Sequence, residues 1–409
     1  MKLYEFEGKE LYKKYGIPVP ESVVISSEQD VQEACSSWRG PAVVKAQILA
    51  GKRKKSNGIA FVDEPSEILK VWHELYRKEV RDEIVERLLV EQKVDIQQES
   101  YVSITYDTRT RGIVLLLSKA GGIDIEEMAE SKSALLVREP ISARVGLQPW
   151  HARELAKRAG FEHEDLIPLS KVLCKLYECF VEEDARLVEI NPLARTPEGD
   201  FVALDAKVAL DDDAQVRHQE REYSIRTSLG RPPTAKELEA IRIDEGEDYY
   251  RGTASKYIEL PGDIATLFSG GGASLIDMDA LIRAGGEPAN YTEYSGNPPR
   301  EKVAALSKVV LDRAGINGLW IVGGMANFTR VDETFAGILD TLRELQPAYP
   351  IMVRRPGPFE EEGLKAFRDA AKEHGWNVRV YGAEKSMTDT AGELVEMVNA
   401  YKAEQGVTA

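Results

Sequence analysis

The chain is poor in cysteine: among 409 residues only Cys35, Cys174 and Cys179 occur, and no two form a Cys-x-x-Cys pair. That excludes a zinc-cluster framework and a disulfide scaffold, and leaves three free thiols that behave as small hydrophobes. Long apolar runs are also missing. No stretch approaches the length of a membrane span, and the opening MKLYEFEGKELYKKYG has no apolar signal core. Positive charge is in deficit, with 53 Lys and Arg against 69 Asp and Glu and a net charge of −16. A surface of that sign repels nucleic acid and anionic membranes, so neither is an expected partner. Small anions respond to local donors and are not excluded. There is no internal repeat and no low-complexity tract. The expectation is a cytoplasmic protein of two or three domains.

Residues 1–250 mix strand and helix patterns irregularly. ESVVIS, PAVVKAQI, GIAFV and LLVEQKV read as strands; SSEQDVQEACSSW and PSEILKVWHELYRKEV read as helices. ESYVSITYD and GIVLLLSK flank a TRTR turn, and PWHARELAKRAG and DLIPLSKVLCKLYECFVEEDA follow as helices. RLVEINPLA and DFVALDAKVAL form a further hairpin about Thr-Pro-Glu-Gly. This is α+β with antiparallel sheets. The polar stretch 213–255 reads as a surface helix and a linker. From about 260 the strands DIATLF, ANYTEY, GLWIVG, PIMVRR and NVRVYG alternate regularly with helices, which predicts a parallel, flavodoxin-like sheet. In that fold ligands sit beyond the carboxyl ends of the strands where strand order reverses, between the first and third strands. Those strands end in SGGGAS (269–274) and GGMANFT (323–329). Glycine amides at 270–272 and at Gly323 and Gly324, read as helix mouths, predict an anion there.

Three stretches before residue 210 bear chemistry. In VVKAQILAGKRKKSNGIAF a strand fixes Lys45, and a loop with Lys52, Arg53, Lys54 and Lys55 follows; the loop is either a clamp over phosphates or a solvated charge run. In VEQKVDIQQES, Glu91 and Glu99 bracket a strand–loop connection, and taken alone they read as surface acids. In LVEINPLARTPEGDFVALDAK, Glu189 and Asn191 share a strand face. A hairpin folding about 197–199 sets Asn191 opposite Asp205, and two such oxygen donors suit Mg²⁺, which leaves its other positions to phosphate and water. A polar cross-strand pair is the alternative.

VVKAQILAGKR, SKAGGIDIEEMAE, EINPL and LDAKVALDDDA occur in the order of the ATP-grasp signatures, and the chain resembles the nucleotide-binding subunit of succinyl-CoA synthetase and its relatives over nearly its whole length. The resemblance implies an ATP-grasp domain over 1–250, with a lid subdomain over about 21–95, and a flavodoxin-like CoA-ligase domain over 251–409. It implies that Lys45 and Arg53 contact ATP phosphates with Lys54 nearby, and that Gln92 and Val94 lie at the adenine hinge. It further implies that Glu99 holds the ribose, that Asn191 and Asp205 bind Mg²⁺, and that Glu189 steadies a phosphohistidine. The family loop carries a glycine after its arginine where this chain has Lys54.

The second half, SGGGAS, ANYTEYSG, GGMANFT and VRRPGPFEEEGL in that order, resembles the citrate-binding domain of ATP-citrate lyase and citryl-CoA synthetase. Citrate needs more donors than succinate. Asn327 and Thr329 offer neutral donors, Arg355 a planar fork, and Gly296 close backbone approach, with Gly271 and Ser295 completing the expected set. By count, Leu345 stands where citrate-using relatives carry an aromatic, with Tyr349 four residues on. The family passes phosphate through a histidine in a Gly-His-Ala-Gly loop. The five histidines here (His73, His151, His163, His218 and His374) lie in no such loop. The chain therefore reads as one subunit of a hetero-oligomer, the ATP-grasp and citrate-binding half of a split ATP-citrate lyase. A larger partner would supply the phosphohistidine, the CoA site and a citrate-synthase-like cleavage domain. Citryl-CoA synthetase is the near alternative, and a succinyl- or malate-CoA ligase beta subunit the more distant one.

Overall fold

The computed structural model describes residues 1–49, 57–80, 83–122, 136–224, 226, 231–246 and 249–406. It falls into two compact units, Met1–Pro232 and Pro233–Ala409.

In the first unit, strands β1 (Ser22–Ile25), β2 (Ala42–Ala46) and β3 (Ile59–Val62) precede the paired two-residue strands β4 (Glu79–Val80) and β5 (Glu83–Ile84), and β6 (Leu88–Gln92) follows. The antiparallel order is β1-β6-β2-β3. The helix Glu67–Leu75 buries Ile68, Val71, Trp72 and Leu75, the spacing of one helical face, against Val44, Val90 and Val31. Helix Glu28–Ser37 begins at a capping box formed by Ser27 and Asp30.

A second sheet holds β7 (Gln98–Asp107), β8 (Gly112–Ser118), β9 (Leu136–Ile141), β10 (Ala185–Arg195), β11 (Phe201–Ala203) and β12 (Lys207–Leu210). Its order is β11-β10-β7-β8-β9, with β12 also paired to β10. Helices Pro149–Arg158 and Leu166–Glu182 bury Leu155, Leu173, Leu176 and Phe180 beneath it, in one core with Val102, Leu115 and Ile190. The helix Glu5–Lys14 is tied to this sheet at its start, where the Leu3 amide donates to the Val208 carbonyl at 2.9 Å.

The second unit is built on β13 (Thr253–Glu259), β14 (Ile264–Ser269), β15 (Asn290–Ser295), β16 (Gly318–Gly323), β17 (Ile351–Arg354) and β18 (Val378–Tyr381), in the order β13-β15-β14-β16-β17-β18. β14 to β18 are parallel and follow the flavodoxin-like order, while β13 is an antiparallel edge. Side-chain alternation divides the sheet. Leu267, Leu319, Ile321 and Val353 face helices Arg300–Leu311, Val331–Leu345 and Glu360–His374. Phe268, Trp320, Val322 and Met352 face helices Gly271–Arg283 and Asp389–Glu404. Residues 213–255, expected as a surface helix and a linker, include a Thr234-capped helix, Ala235–Ile241, whose Glu237 accepts the Glu259 amide at 2.9 Å and so docks the helix on β13. Among the described residues no helix is long and apolar enough to cross a membrane.

Candidate functional site

Lys45 points inward from β2 and is only 7% exposed. Its ammonium meets Glu5 Oε1 at 3.0 Å, pairs with Glu91, and donates to the Leu204 carbonyl at 2.6 Å. Lys9 completes the cluster: it meets Glu5 at 2.7 Å, pairs with Glu91, and donates to the same carbonyl at 2.9 Å. Burial alone would lower the Lys45 pKa, but the carboxylates of Glu5, Glu91 and Asp205 outweigh it and raise the value. Glu91 is 2% exposed, which corrects the reading of it as a surface acid. Its burial depends on the helix Glu5–Lys14, more than seventy residues away in sequence. Glu5 and Lys9 were missed there, although their i, i+4 spacing was visible. The nearby Gln92 ends β6 and is exposed, and Val94 is half-buried. Arg53 and Lys54, with the rest of the basic loop, lie outside the described residues.

The β10–β11 hairpin has the expected register. Leu193 opposes Ala203, Glu189 opposes Lys207, and Asn191 and Asp205 stand opposite each other between these pairs. Asn191 Oδ1 accepts the Gly122 amide at 2.8 Å, and Asp205 Oδ1 accepts the Ala206 amide at 2.7 Å. Glu99, on the neighbouring β7, lies so close to Gly122 that a Cβ there would stand 2.2 Å from its Oε2. Asn191, Glu99 and Gly122 therefore converge on one spot. Glu189, two residues before Asn191, accepts from Tyr101 Oη at 3.3 Å and faces Lys207 Nζ at 3.6 Å. Burial raises its pKa, against the pull of Lys207 and Tyr101.

In the second unit four loops meet at the carboxyl ends of the parallel strands. Helix Gly271–Arg283 starts directly after β14 with no side-chain cap. Its Gly271 packs over Glu293, whose Oε1 also receives the Ser295 hydroxyl at 3.4 Å and whose Oε2 faces Lys256 at 3.1 Å. Gly296 has φ +70, open to glycine, and its missing Cβ lets the Gly252 backbone approach. Next to it, Asn297 Oδ1 accepts the Arg330 amide at 2.9 Å, joining this loop to the Asn-Phe-Thr loop. The Ala326 amide donates to the Pro356 carbonyl at 2.9 Å and that of Val331 to Pro358 at 3.0 Å, which brings in the Arg-Arg-Pro-Gly-Pro loop. Gly357, at φ +149, is required there: a Cβ would sit 2.5 Å from that of Ala326. Thr329 is buried and Asn327 exposed.

The expected helix-mouth role of Gly323 and Gly324 needs correction. Helix Val331–Leu345 begins seven residues after Gly324, and both glycines act through their carbonyls. Arg354 Nη1 donates to Gly323 O at 2.8 Å and Arg355 Nη1 to Gly324 O at 2.5 Å. Nor does Leu345 wall the site, because it ends a helix whose start is roughly 21 Å away. Tyr349 instead packs on the core beneath that helix.

Arg355 is 4% exposed, and its Nε makes no hydrogen bond among the described residues. Burial lowers its pKa and that of Arg354. Close by, both carboxylate oxygens of the fully buried Asp277 and the hydroxyl of Ser269 are likewise without a partner. Tyr294 Oη faces Ser269 and Thr334 without a bond of normal geometry. Burial pushes the Asp277 carboxyl up to about 7, although Arg354 and Arg355 pull it down. Sequence reasoning missed Asp277. The signal was its spacing with Ser274 and Leu281, which places it on the buried stripe of its helix.

Several histidines have ordinary partners. His151 lies 3.2 Å from Glu139, His218 2.7 Å from Asp184, and His374 3.2 Å from Gln346.

Comparison with known proteins matches both units. Residues 2–195 match the ATP-grasp domain family, and residues 236–397 the ATP citrate lyase citrate-binding family. The chain is 36% identical over 400 residues to the beta subunit of succinate–CoA ligase [ADP-forming] from Methanocaldococcus jannaschii, covering 97% of this chain and 100% of the relative. The same subunit from Ignicoccus hospitalis is 36% identical over 402 residues, at 98% and 100% coverage. A solved structure of ATP citrate lyase from Methanothrix soehngenii, in complex with citrate and coenzyme A, superposes with a TM-score of 0.79 at 25% identity, over 97% of this chain and 99% of that one. The chain belongs to the succinate–CoA ligase beta-subunit family of ATP-dependent CoA-ligase-type enzymes, joining an ATP-grasp domain to a domain of the ATP citrate lyase citrate-binding family.

Proposed function

We propose that this chain is the ATP-grasp and citrate-binding subunit of a split ATP-citrate lyase. With a larger partner it converts citrate, CoA and ATP, through a phosphohistidine and citryl phosphate, to citryl-CoA and on to acetyl-CoA and oxaloacetate. The observation that carries this reading is the citrate-binding family match over 236–397, which spans all four loops of the acid site. The likeness to the ATP citrate lyase structure from Methanothrix soehngenii, over 97% of this chain, supports the same reading. In this reading Arg355 pairs with one citrate carboxylate, and Asn327, Thr329 and Ser295 add neutral donors. Gly271 and Gly296 admit the ligand to the backbone.

In this reading Lys45, Arg53 and Lys54 bind the phosphates, Gln92 and Val94 the adenine, and Glu99 the ribose. Asn191 and Asp205 fit Mg²⁺, since an amide oxygen and a carboxylate stand at one register position, each oriented by a backbone amide. The ion would supply charge neutralisation between the phosphates. Glu189, half-buried and two residues from Asn191, is suited to accept an N–H from the partner's histidine.

A citryl-CoA synthetase would use this chain in the same way and stop at citryl-CoA. A succinate–CoA ligase is favoured by the 36% identity to beta subunits of that name. The test is ATP hydrolysis by the complex of this chain with its partner, driven by CoA and citrate, succinate or malate in turn. The lyase reading expects citrate to win in kcat/KM and oxaloacetate to appear. Citrate turnover without oxaloacetate selects the synthetase, and a preference for succinate overturns the citrate assignment.

A further inference from the structure

The acid site contains a charge that the family roles leave unused. Asp277 is fully buried on the helix Gly271–Arg283, and neither of its oxygens has a hydrogen-bond partner among the described residues. The charges that act on it are Arg354 and Arg355 at the end of β17, both nearly buried and neither ion-paired to it. The surrounding elements add little. β14 and β16 bear no ionisable side chain. β15 contributes Tyr291, which is bonded to Ser274, Glu293, which is paired with Lys256, and Tyr294, which faces Ser269 and Thr334. The helix Asp389–Glu404 turns Leu394, Val395 and Val398 to this side, while its Glu393 pairs with Lys385 and Arg379. On its own helix, Asp279 is exposed and Arg283 lies in the last turn.

Glu384 and Glu360 also act on Arg354, but Asp277 is the one carboxylate that acts on both buried guanidiniums. Arg355 already spends Nη1 on Gly324, and its buried Nε has no hydrogen-bond partner among the described residues. An incoming carboxylate at Nε cancels much of the positive field that keeps Asp277 ionised, and two carboxylates cannot both hold a charge cheaply in so dry a place. We propose that Asp277 is the internal counter-ion of the acid site: it balances Arg354 and Arg355 before the substrate arrives, and takes up a proton from solvent when a substrate carboxylate joins Arg355. Acid binding and proton uptake are then one event, and Asp277 tunes acid affinity through Arg355 without touching the substrate. The inference rests on the reading of this site as the acid site.

The test is calorimetric titration of citrate, and separately succinate, into the full chain. Measurements run from pH 6 to pH 8 in buffers of different ionisation enthalpy, for the parent and for Asp277→Asn, which fixes the neutral form in the same shape. At pH 8 the parent should take up close to one proton more per acid bound than the variant. Relative to the variant, its affinity should fall roughly tenfold between pH 6 and pH 8, as linkage to a group titrating near 7 requires. The excess affinity loss is a readout that a purely structural Asp277 would not produce. Proton uptake by the parent alone, beyond that of the acid itself, tests the idea even if the variant does not fold. Equal proton uptake and equal pH dependence in parent and variant overturn it. Succinate binding with proton uptake, and no citrate binding, supports the counter-ion and overturns the citrate assignment. Failure of the parent to bind either acid overturns the reading of the site, and the counter-ion with it.

Discussion

Replacing Glu91 by Gln is the sharpest test of the buried ionic cluster. Lys9 and Lys45 are balanced there by Glu5 and Glu91, with both lysines and Glu91 under 8% exposed and Glu5 at 2%. Gln keeps the shape and one acceptor but leaves Glu5 as the carboxylate that meets both ammonium groups, with Asp205 also acting on Lys45. Removing one partner from a buried pair costs about 3–5 kcal/mol, and the retained acceptor argues for the lower end, about 3 kcal/mol. At an m value of roughly 2–3 kcal/mol/M in urea, the midpoint should fall by about 1 M. Fluorescence of Trp38 and Trp72, which belong to the core beside β2 and β6, reports the transition. Lys45→Met in the Glu91→Gln background restores neutrality between Lys9 and Glu5, so the double variant should lose less than the two singles added together, with a coupling above about 1 kcal/mol. The pH dependence has a definite sign. The Lys45 pKa is raised, so its stabilisation is complete below the ordinary lysine range and is lost only as strong alkali is approached. A Glu91→Gln loss below about 1 kcal/mol, or strict additivity with Lys45→Met, would refute the view that these four charges act as a unit.

The remaining predictions concern both units. Arg355→Ala should cost roughly 2–4 kcal/mol in citrate kcat/KM, about 30- to 1000-fold, and Arg355→Lys should recover only part, because an ammonium cannot hold Gly324 and a carboxylate with the same planar geometry; steady-state kinetics of the complex decide it. Asp277→Asn should be more stable than the parent at pH 8 by roughly 2–4 kcal/mol and hardly different at pH 4. The raised carboxyl favours folding while protonated and loses that contribution as pH rises through about 7; thermal unfolding at the two pH values is the check. Asp205→Ala should weaken Mg·ATP binding while citrate binding persists, as measured by titrating each ligand into the variant.

What was legible in the sequence was mostly local. The β10–β11 hairpin could be read because alternation and a Thr-Pro-Glu-Gly turn fix register within twenty residues, and that register carries Asn191 opposite Asp205. The doubly wound second unit was legible because apolar strands and amphipathic helices repeat at even spacing. β9 was not, since LVREPI contains a proline and two charges that hide its alternation, and β13 (TASKYIE) reads as polar because it is an edge strand. Glu91 misled for a different reason. Its burial is a tertiary fact supplied by Lys9 and Lys45, and no window around residue 91 contains them. At Gly323 and Gly324 the groups the glycines offer depend on where the next helix begins. Six intervening residues turn them from amide donors into carbonyl acceptors for the two arginines.

The two candidate sites handle charge in opposite ways, and this separates their pH behaviour. At Lys45 each ammonium already meets carboxylates at contact distance, and the lysine titrates far above neutrality, so proton occupancy there is constant near pH 7. In the proposed reading a nucleotide phosphate approaching Lys45 shares it with Glu5 and Glu91, and Lys45 keeps its proton. At Arg355 the counter-charge stands off without an ion pair and titrates at about 7, so the positive field offered to an acid depends on pH. Between pH 7 and pH 8.5, Mg·ATP affinity of the full chain should therefore stay nearly constant while citrate affinity falls, and Asp277→Asn should flatten the second curve and leave the first alone. Titration of both ligands into the same preparations measures this directly. A parallel loss of Mg·ATP affinity, or a citrate curve that Asp277→Asn leaves sloping, would mean that the proton is held by some other group.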